Sequence, residues 1–222
     1  MSGAGAPPIR FCFDPISPYA YLAWQWVRPV AAAHGRDVEP VPILFAAVLN
    51  HWGQLGPAEI VPNRRHTFAH VVRLARSRGL PFTGPACHPF NPVTALRLCL
   101  PEVVGPRQHD VVDALLTAVW ADRLDPGDPA QLATVLDGLG LDGASLVAHT
   151  HAPDVKAALR ASTDSALTAG VFGVPTLLVD GELFWGDDQR PFVEAFLRGE
   201  DPLDVDLMGT LDTLPVGATR RR

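Results

Sequence analysis

Three places in this 222-residue sequence carry groups that could do chemistry. The first is Ser17, in the stretch FDPISPYAYLAW (13–24). A serine followed by proline is an ordinary helix start, with the serine at the N-cap, worth ~1 kcal/mol. The same helix end carries unpaired N–H groups and a partial positive charge. An anion, or a sulfur that must ionise to react, is stabilised there. The second place is Val174-Pro175, in GVFGVPT (170–176). Proline cannot donate a ladder hydrogen bond, so at the head of a strand it marks an edge. A cis bond before it would leave the Val174 backbone facing outward, open to an extended peptide. The third is Trp185-Gly186-Asp187-Asp188. Asp before a helix is a normal cap, but helix N–H groups and a carboxylate together can also hold an amino-acid head group. Taken singly, each has a plain structural explanation: a cap, a trans proline that starts a strand, and another cap.

The elements that must position these residues follow from periodicity and punctuation. Ile9–Phe13 reads as a short buried strand, and the helix after Ser17-Pro18 runs from Tyr19 to about Ala33, ended by Gly35. Val38–Phe45, with two prolines, reads as a second strand placed toward an edge. Residues 50–62 read as loop, and 63–78 has helical spacing with several arginines on one side. A loop over 79–92 leads into helical patterns over 93–100, 109–123, 129–138, 142–150 and 153–169. Strand signals return in 174–186, where Asp180-Gly181 between two apolar runs predicts a hairpin. A last helix carries Phe192, Val193, Phe196 and Leu197, and a loose tail follows Arg198. The order β-α-β, helical block, β-β-α predicts a mixed four-stranded sheet. The expected class is α/β, a thioredoxin-like fold with a large all-helical insertion. The thioredoxin-like domain would be discontinuous, 8–48 and 168–200, with the helical domain at 49–167 and a tail at 201–222.

Composition narrows the function. The chain is 47% hydrophobic and 19% charged, which suits globular domains with a real core. A net charge of −6 argues against nucleic acid and anionic membranes as partners. The basic end, Arg220-Arg221-Arg222, reads as a frayed terminus. Cys12, Cys87 and Cys99 are odd in number and none has CxxC spacing, against a secreted disulfide framework or a zinc ribbon. No apolar signal core and no membrane-length run is present, so a reducing, cytoplasmic location is expected. No metal is expected either. His66 and His70 are spaced like ligands on a helix but lack the following Glu, and read as a solvated face. His149, His151 and Asp154 read as a surface turn, and Cys12 as a small core hydrophobe.

Together, FDPISPYAYLAW, GVFGVPT and FWGDDQ resemble the family of 2-hydroxychromene-2-carboxylate isomerases and kappa-class glutathione transferases, in the DsbA-like branch of the thioredoxin superfamily. The resemblance covers about residues 9–198. It implies a glutathione-dependent enzyme acting on a small aromatic acid, commonly a homodimer. By this resemblance Ser17 matches the family's catalytic serine, where thioredoxin relatives carry their first cysteine. Val174, before Pro175, matches the residue whose backbone pairs with the cysteinyl unit of glutathione. Trp185, Gly186, Asp187 and Asp188 match the segment that holds the γ-glutamyl end. Asn63-Arg64 resembles the family's contact to the bound acid, and His88 falls where the isomerases carry a substrate-contacting aromatic. Gln189 departs from the family's Asp-Arg pair, with Arg190 one place later.

With no general base beside it, Ser17 is expected to donate a hydrogen bond to the glutathione sulfur rather than attack as a nucleophile. Arg64, with Arg65, would hold the substrate carboxylate. Trp52, Phe45 and Phe90 are possible apolar walls. Disulfide exchange at this helix start is excluded, because Ser17 and Ala20 stand where two cysteines would be needed. An isomerase is the preferred reading. A kappa-class transferase and a non-enzymatic glutathione- or peptide-binding module stay open as alternatives.

Overall fold

The computed structural model describes residues 6–218, so the Arg220–Arg222 tail lies outside the described residues. Strand β1 (Ile9–Phe13) is buried at every position but the partly exposed Arg10. It leads through α1 (Pro18–Ala33) into β2 (Val38–Pro42), which pairs with it in parallel from Ile9↔Val38 to Phe13↔Pro42. Strand β3 (Thr176–Val179) runs antiparallel to β1, and β4 (Glu182–Trp185) antiparallel to β3. The sheet order is β2-β1-β3-β4, a mixed four-stranded thioredoxin-like sheet. Edge strand β2 tolerates Pro40 and Pro42 because one of its sides needs no ladder donors. The hairpin turns on Asp180 (φ 51°) and Gly181 (φ 96°), the two positive φ angles of a type I′ turn.

Between β2 and β3 lie α2 (Phe45–Trp52), α3 (Val61–Ser77), α4 (Val93–Leu98), α5 (Pro101–Val104), α6 (Gln108–Trp120), α7 (Pro129–Gly138), α8 (Gly143–His149) and α9 (Pro153–Thr168). After the sheet come α10 (Arg190–Leu197) and α11 (Val205–Asp212). The largest core cluster runs without a break from Phe11 and Trp24 to Leu115, Leu116 and Trp120 of α6. Helix α6 therefore shares a core with the sheet layer, and what it carries is held rigidly against the end of β1.

Two elements differ from the sequence expectation. The second strand stops at Pro42, and Phe45–Trp52 is helical instead of strand and loop. Its first amides are capped from far away: Leu44 N–H donates to Thr163 Oγ1 (3.1 Å) and Phe45 N–H to Asp14 Oδ2 (3.0 Å). A helix whose caps come from distant residues leaves no local start signal. The tail after Arg198 also holds a helix, α11, capped by Asp204, whose carboxylate accepts from Leu207 N–H at 2.9 Å. None of its residues is buried.

Candidate active site

The site is built around the loop that leaves β1. Ser17 N–H donates to Asp14 O (3.0 Å), and Ile16 N–H to Asp14 Oδ1 (2.9 Å). The other Asp14 oxygen takes the Phe45 amide at the start of α2. Trp120 Nε1–H donates to Pro15 O (2.9 Å), and His88 Nε2 stands 3.1 Å from Ile16 O. A carbonyl only accepts, so His88 Nε2 carries the proton. Asp14 is fully buried, and that burial pushes its carboxyl up to about 7 against the pull of the two N–H bonds.

Ser17 is the N-cap of α1 and only 7% exposed. Its Oγ accepts from Ala20 N–H and donates to Val174 O, both at 3.3 Å. Those are long bonds for a hydroxyl, easily given up to a better partner. No acidic residue sits in the first turn of α1, so nothing in that turn cancels the helix's N-terminal field. The Val174–Pro175 bond is cis, and among the described residues the Val174 N–H finds no acceptor. Gly186 N–H donates to Pro175 O (2.9 Å), which ties the end of β4 to the proline. Gly186 has φ 112°, and a side chain there would meet Asp188 Oδ1 at 2.5 Å. Gly173 is required by close approach instead, since its missing Cβ would lie 2.3 Å from Trp185 Nε1. Trp185 also packs on Phe172 (ring centroids 5.0 Å apart), and Trp52 Nε1–H donates to Val171 O (3.0 Å). Trp52, Phe172 and Trp185 thus flank the Val174 edge.

The remaining predicted residues divide sharply. Asp187 is 2% exposed and already engaged by the protein: its Oδ1 accepts from Trp26 Nε1 and Arg78, and its Oδ2 from Arg78 at 2.7 Å. With three hydrogen bonds accepted and almost no exposure, this carboxylate holds Trp26 and Arg78 in place and is poorly reachable by a ligand. Asp188 is exposed and makes no ion pair among the described residues. Arg64 donates to His88 O (2.6 Å) and lies over the Phe68 ring, so it is linked to the Ser17 loop through His88. Asn63 is exposed and, among the described residues, its Oδ1 accepts from Thr67 alone. His88 packs among Phe68, Phe90 and Trp120, at centroid distances of 5.1, 6.1 and 5.8 Å, and its Nδ1 is buried without a partner. Burial, with Arg64 beside it, holds His88 below the usual histidine range. Phe45 lies at the base of the loop rather than in a wall, its amide bound to Asp14. A shallow groove of about 550 Å³ on α3, lined by Arg65, Phe68, Ala69, Val72 and Arg73, runs along the outer side of Phe68.

Four contributors were not read as site residues from sequence. Asp14 and Trp120 hold the loop, and Tyr19 and His70 meet across α1 and α3, with Tyr19 Oη 2.9 Å from His70 Nδ1. Burial, then the charges of Asp187 and Asp188, raise the Tyr19 hydroxyl above its ordinary value, so it stays protonated. His70 is therefore no solvated-face residue. The Asp in FDP and the Tyr in SPY were the available signals. Of the cysteines, Cys12 is buried in β1 with its thiol pushed up to about 12, as a core residue, and Cys87 is exposed.

A strand, a short loop and a helix N-terminus capped by Ser17, set against a cis-proline at the head of an antiparallel strand, make the arrangement of a thioredoxin-like domain. Comparison with known families agrees: the chain belongs to the DSBA-like thioredoxin domain family, whose model matches residues 8–198. It is similar to a 2-hydroxychromene-2-carboxylate isomerase of Sphingobium xenophagum, 31% identical over 198 residues, 85% of this chain and 97% of the relative. It is also similar to glutathione S-transferase kappa 2 of Caenorhabditis elegans, 27% identical over 205 residues, 85% of this chain and 91% of the relative. Both relatives are enzymes. A solved structure of a 2-hydroxychromene-2-carboxylate isomerase superposes with a TM-score of 0.79 at 22% identity, covering 93% of this chain and 99% of that one.

Proposed function

We propose that this chain is a glutathione-dependent isomerase of the 2-hydroxychromene-2-carboxylate isomerase type. The observation that carries the reading is the 3.3 Å contact between Ser17 Oγ and Val174 O. A hydroxyl donor at a helix N-terminus and an unpaired backbone edge then share one cleft, and a cysteinyl peptide needs both. The donor set fits glutathione: Ser17 for the sulfur, the Val174 backbone for the cysteinyl unit, and Gly186 with Asp188 for the γ-glutamyl end. Asp187 is not part of that set. Bound glutathione supplies a thiolate that adds reversibly to the conjugated double bond of an aromatic α-keto acid, so that rotation about the resulting single bond becomes possible.

The chain's own residues do the rest. Ser17 turns its hydroxyl from Val174 O toward the sulfur, and the field of α1 lowers the cost of negative charge there. Asp188 takes the ammonium group. Arg64 and Arg65 draw the substrate carboxylate toward Phe68. Trp52, Phe172 and Trp185 limit the access of water to the Val174 edge. Assembly as a homodimer in a reducing compartment, where glutathione stays a thiol, belongs to the same reading.

The test is ultraviolet absorbance of the glutathione thiolate at neutral pH. Wild type should show the band on binding glutathione, and Ser17→Ala should lose it while still binding. Thiolate and turnover retained in Ser17→Ala would overturn the proposed role. A kappa-class transferase would use the same residues, as the 27% identity to the worm enzyme allows. It is separated by its product, which keeps glutathione covalently attached.

A further inference from the structure

We propose that His88 is a positioning residue: it and Trp120, both from the helical block, clasp the two carbonyls before Ser17 and so aim the serine hydroxyl. The inference concerns how Ser17 is held, and only its glutathione readout rests on the proposed function. Family resemblance makes His88 a substrate contact, whereas the geometry gives it other work. Its Nε2–H meets Ile16 O at 3.1 Å, and its Nδ1 is buried where no ligand atom reaches it. Trp120 Nε1–H meets Pro15 O, the adjacent carbonyl, at 2.9 Å.

Both rings belong to one aromatic cluster. Phe82 lies on Trp120 at 5.7 Å, Trp120 meets His88 at 5.8 Å, and His88 meets Phe68 at 5.1 Å. A ring fixed by three aromatic neighbours holds its N–H in one direction, which makes the hydrogen bond directional as well as favourable. From the other side, Asp14 takes the Ile16 and Ser17 amides. The peptide between Ile16 and Ser17 is thus bonded at its carbonyl by His88 and at its N–H by Asp14 O. Rotation of that peptide plane would swing Ser17 Oγ away from Val174, and the clasp prevents it. Arg64 holds the clasp in turn through the His88 carbonyl at 2.6 Å.

The experiment pairs two substitutions. His88→Phe keeps the aromatic packing and removes the N–H, whereas His88→Gln restores a donor at the Nε2 position. Hydrogen exchange at Ile16, Ser17 and Ala20 in the ligand-free protein should be about fivefold to tenfold faster in His88→Phe, the loss of one ordinary hydrogen bond, and should return toward wild type in His88→Gln. With glutathione bound, the thiol should titrate at higher pH in His88→Phe and recover in His88→Gln. Unchanged exchange in a folded His88→Phe overturns the inference. So does a raised KM for the aromatic acid with exchange and thiol titration both as in wild type, because that pattern marks a substrate contact. If His88→Phe does not fold, wild-type-like exchange in Trp120→Phe overturns the clasp, and accelerated exchange there supports it. A wild type that forms no thiolate removes the glutathione reading alone, since the exchange measurement needs no ligand.

Discussion

Two segments lie on either side of Val174-Pro175, and they differ in freedom. In the loop Asp14–Ser17, both end residues are buried, and the carbonyls of Asp14, Pro15 and Ile16 and the amides of Ile16 and Ser17 all have protein partners. In Trp185–Asp188, Asp187 is locked to Arg78 and Trp26, while Trp185 is 50% exposed and Asp188 is exposed and unpaired among the described residues. The contrast fits the proposed function. A donor that must meet one reacting atom gains from being fixed beforehand. A group that grips a solvent-borne head group must be reachable, and its own partner should arrive with the ligand.

The largest effect expected from breaking this contrast lies at Asp14. Its carboxyl sits at about 7 in the fold against an ordinary 3.8. Between those values the native state binds the proton and the unfolded state does not, so stability falls as pH rises from about 4 to about 7. The full window corresponds to roughly 4 kcal/mol at most. Asp14→Asn cannot titrate, so wild-type stability relative to that variant should decline across this window in denaturant titrations. Parallel curves would mean that the carboxyl does not stay buried. Ser17→Ala comes next. Removing one preorganised donor should slow turnover about a hundredfold, while loss of the cap costs only ~1 kcal/mol of stability. A loss of activity explained by unfolding would remove the distinction between donor and cap.

The two neighbouring aspartates test the other segment. Asp187→Asn leaves Arg78 without its charged partner. Because Arg78 is 31% exposed, about 1–2 kcal/mol of stability should go, below the cost of breaking a fully buried pair. Asp188→Asn should leave the melting temperature unchanged and weaken glutathione binding about tenfold, the worth of one charge-assisted hydrogen bond. Calorimetry on both variants decides it. If Asp187→Asn weakens binding and Asp188→Asn does not, the assignment of the pair is reversed.

These two aspartates also show where the sequence stops being informative. Both stand before a helix, and nothing local says which one turns inward. That depends on Arg78 and Trp26, 109 and 161 residues away along the chain. Helix α2 and the clasp on Pro15 and Ile16 were hidden for the same reason, because their partners are tertiary. What was readable rested on local physics: the Ser17 cap, the Asp180-Gly181 turn, the edge prolines of β2, and the Gly35 stop at φ 66°. The expected order of elements, β-α-β, helical block, β-β-α, and the mixed four-stranded sheet are the ones found. Sequence did not reveal that α6 shares the sheet's core, since the packing of apolar stripes is not written in their spacing.

The smallest expected effect is at α11, the opposite extreme to the Asp14 loop. Its cap is local, from Asp204, and none of its residues is buried. Leu207, Met208 and Leu211 form an apolar stripe, yet they are 53%, 38% and 45% exposed. A stripe in water contributes little to folding, however regular its spacing. A chain ending at residue 200 should therefore match the full chain within about 0.5 kcal/mol in denaturant unfolding, with the thiolate band intact. Ending it before α10 instead would uncover the site of buried Val193 and expose Phe184, which packs on Phe196 at 5.6 Å, and should cost several kcal/mol. If removing α11 costs as much as removing α10, its stripe is covered in solution, and local capping alone is no measure of how firmly a segment of this chain is held.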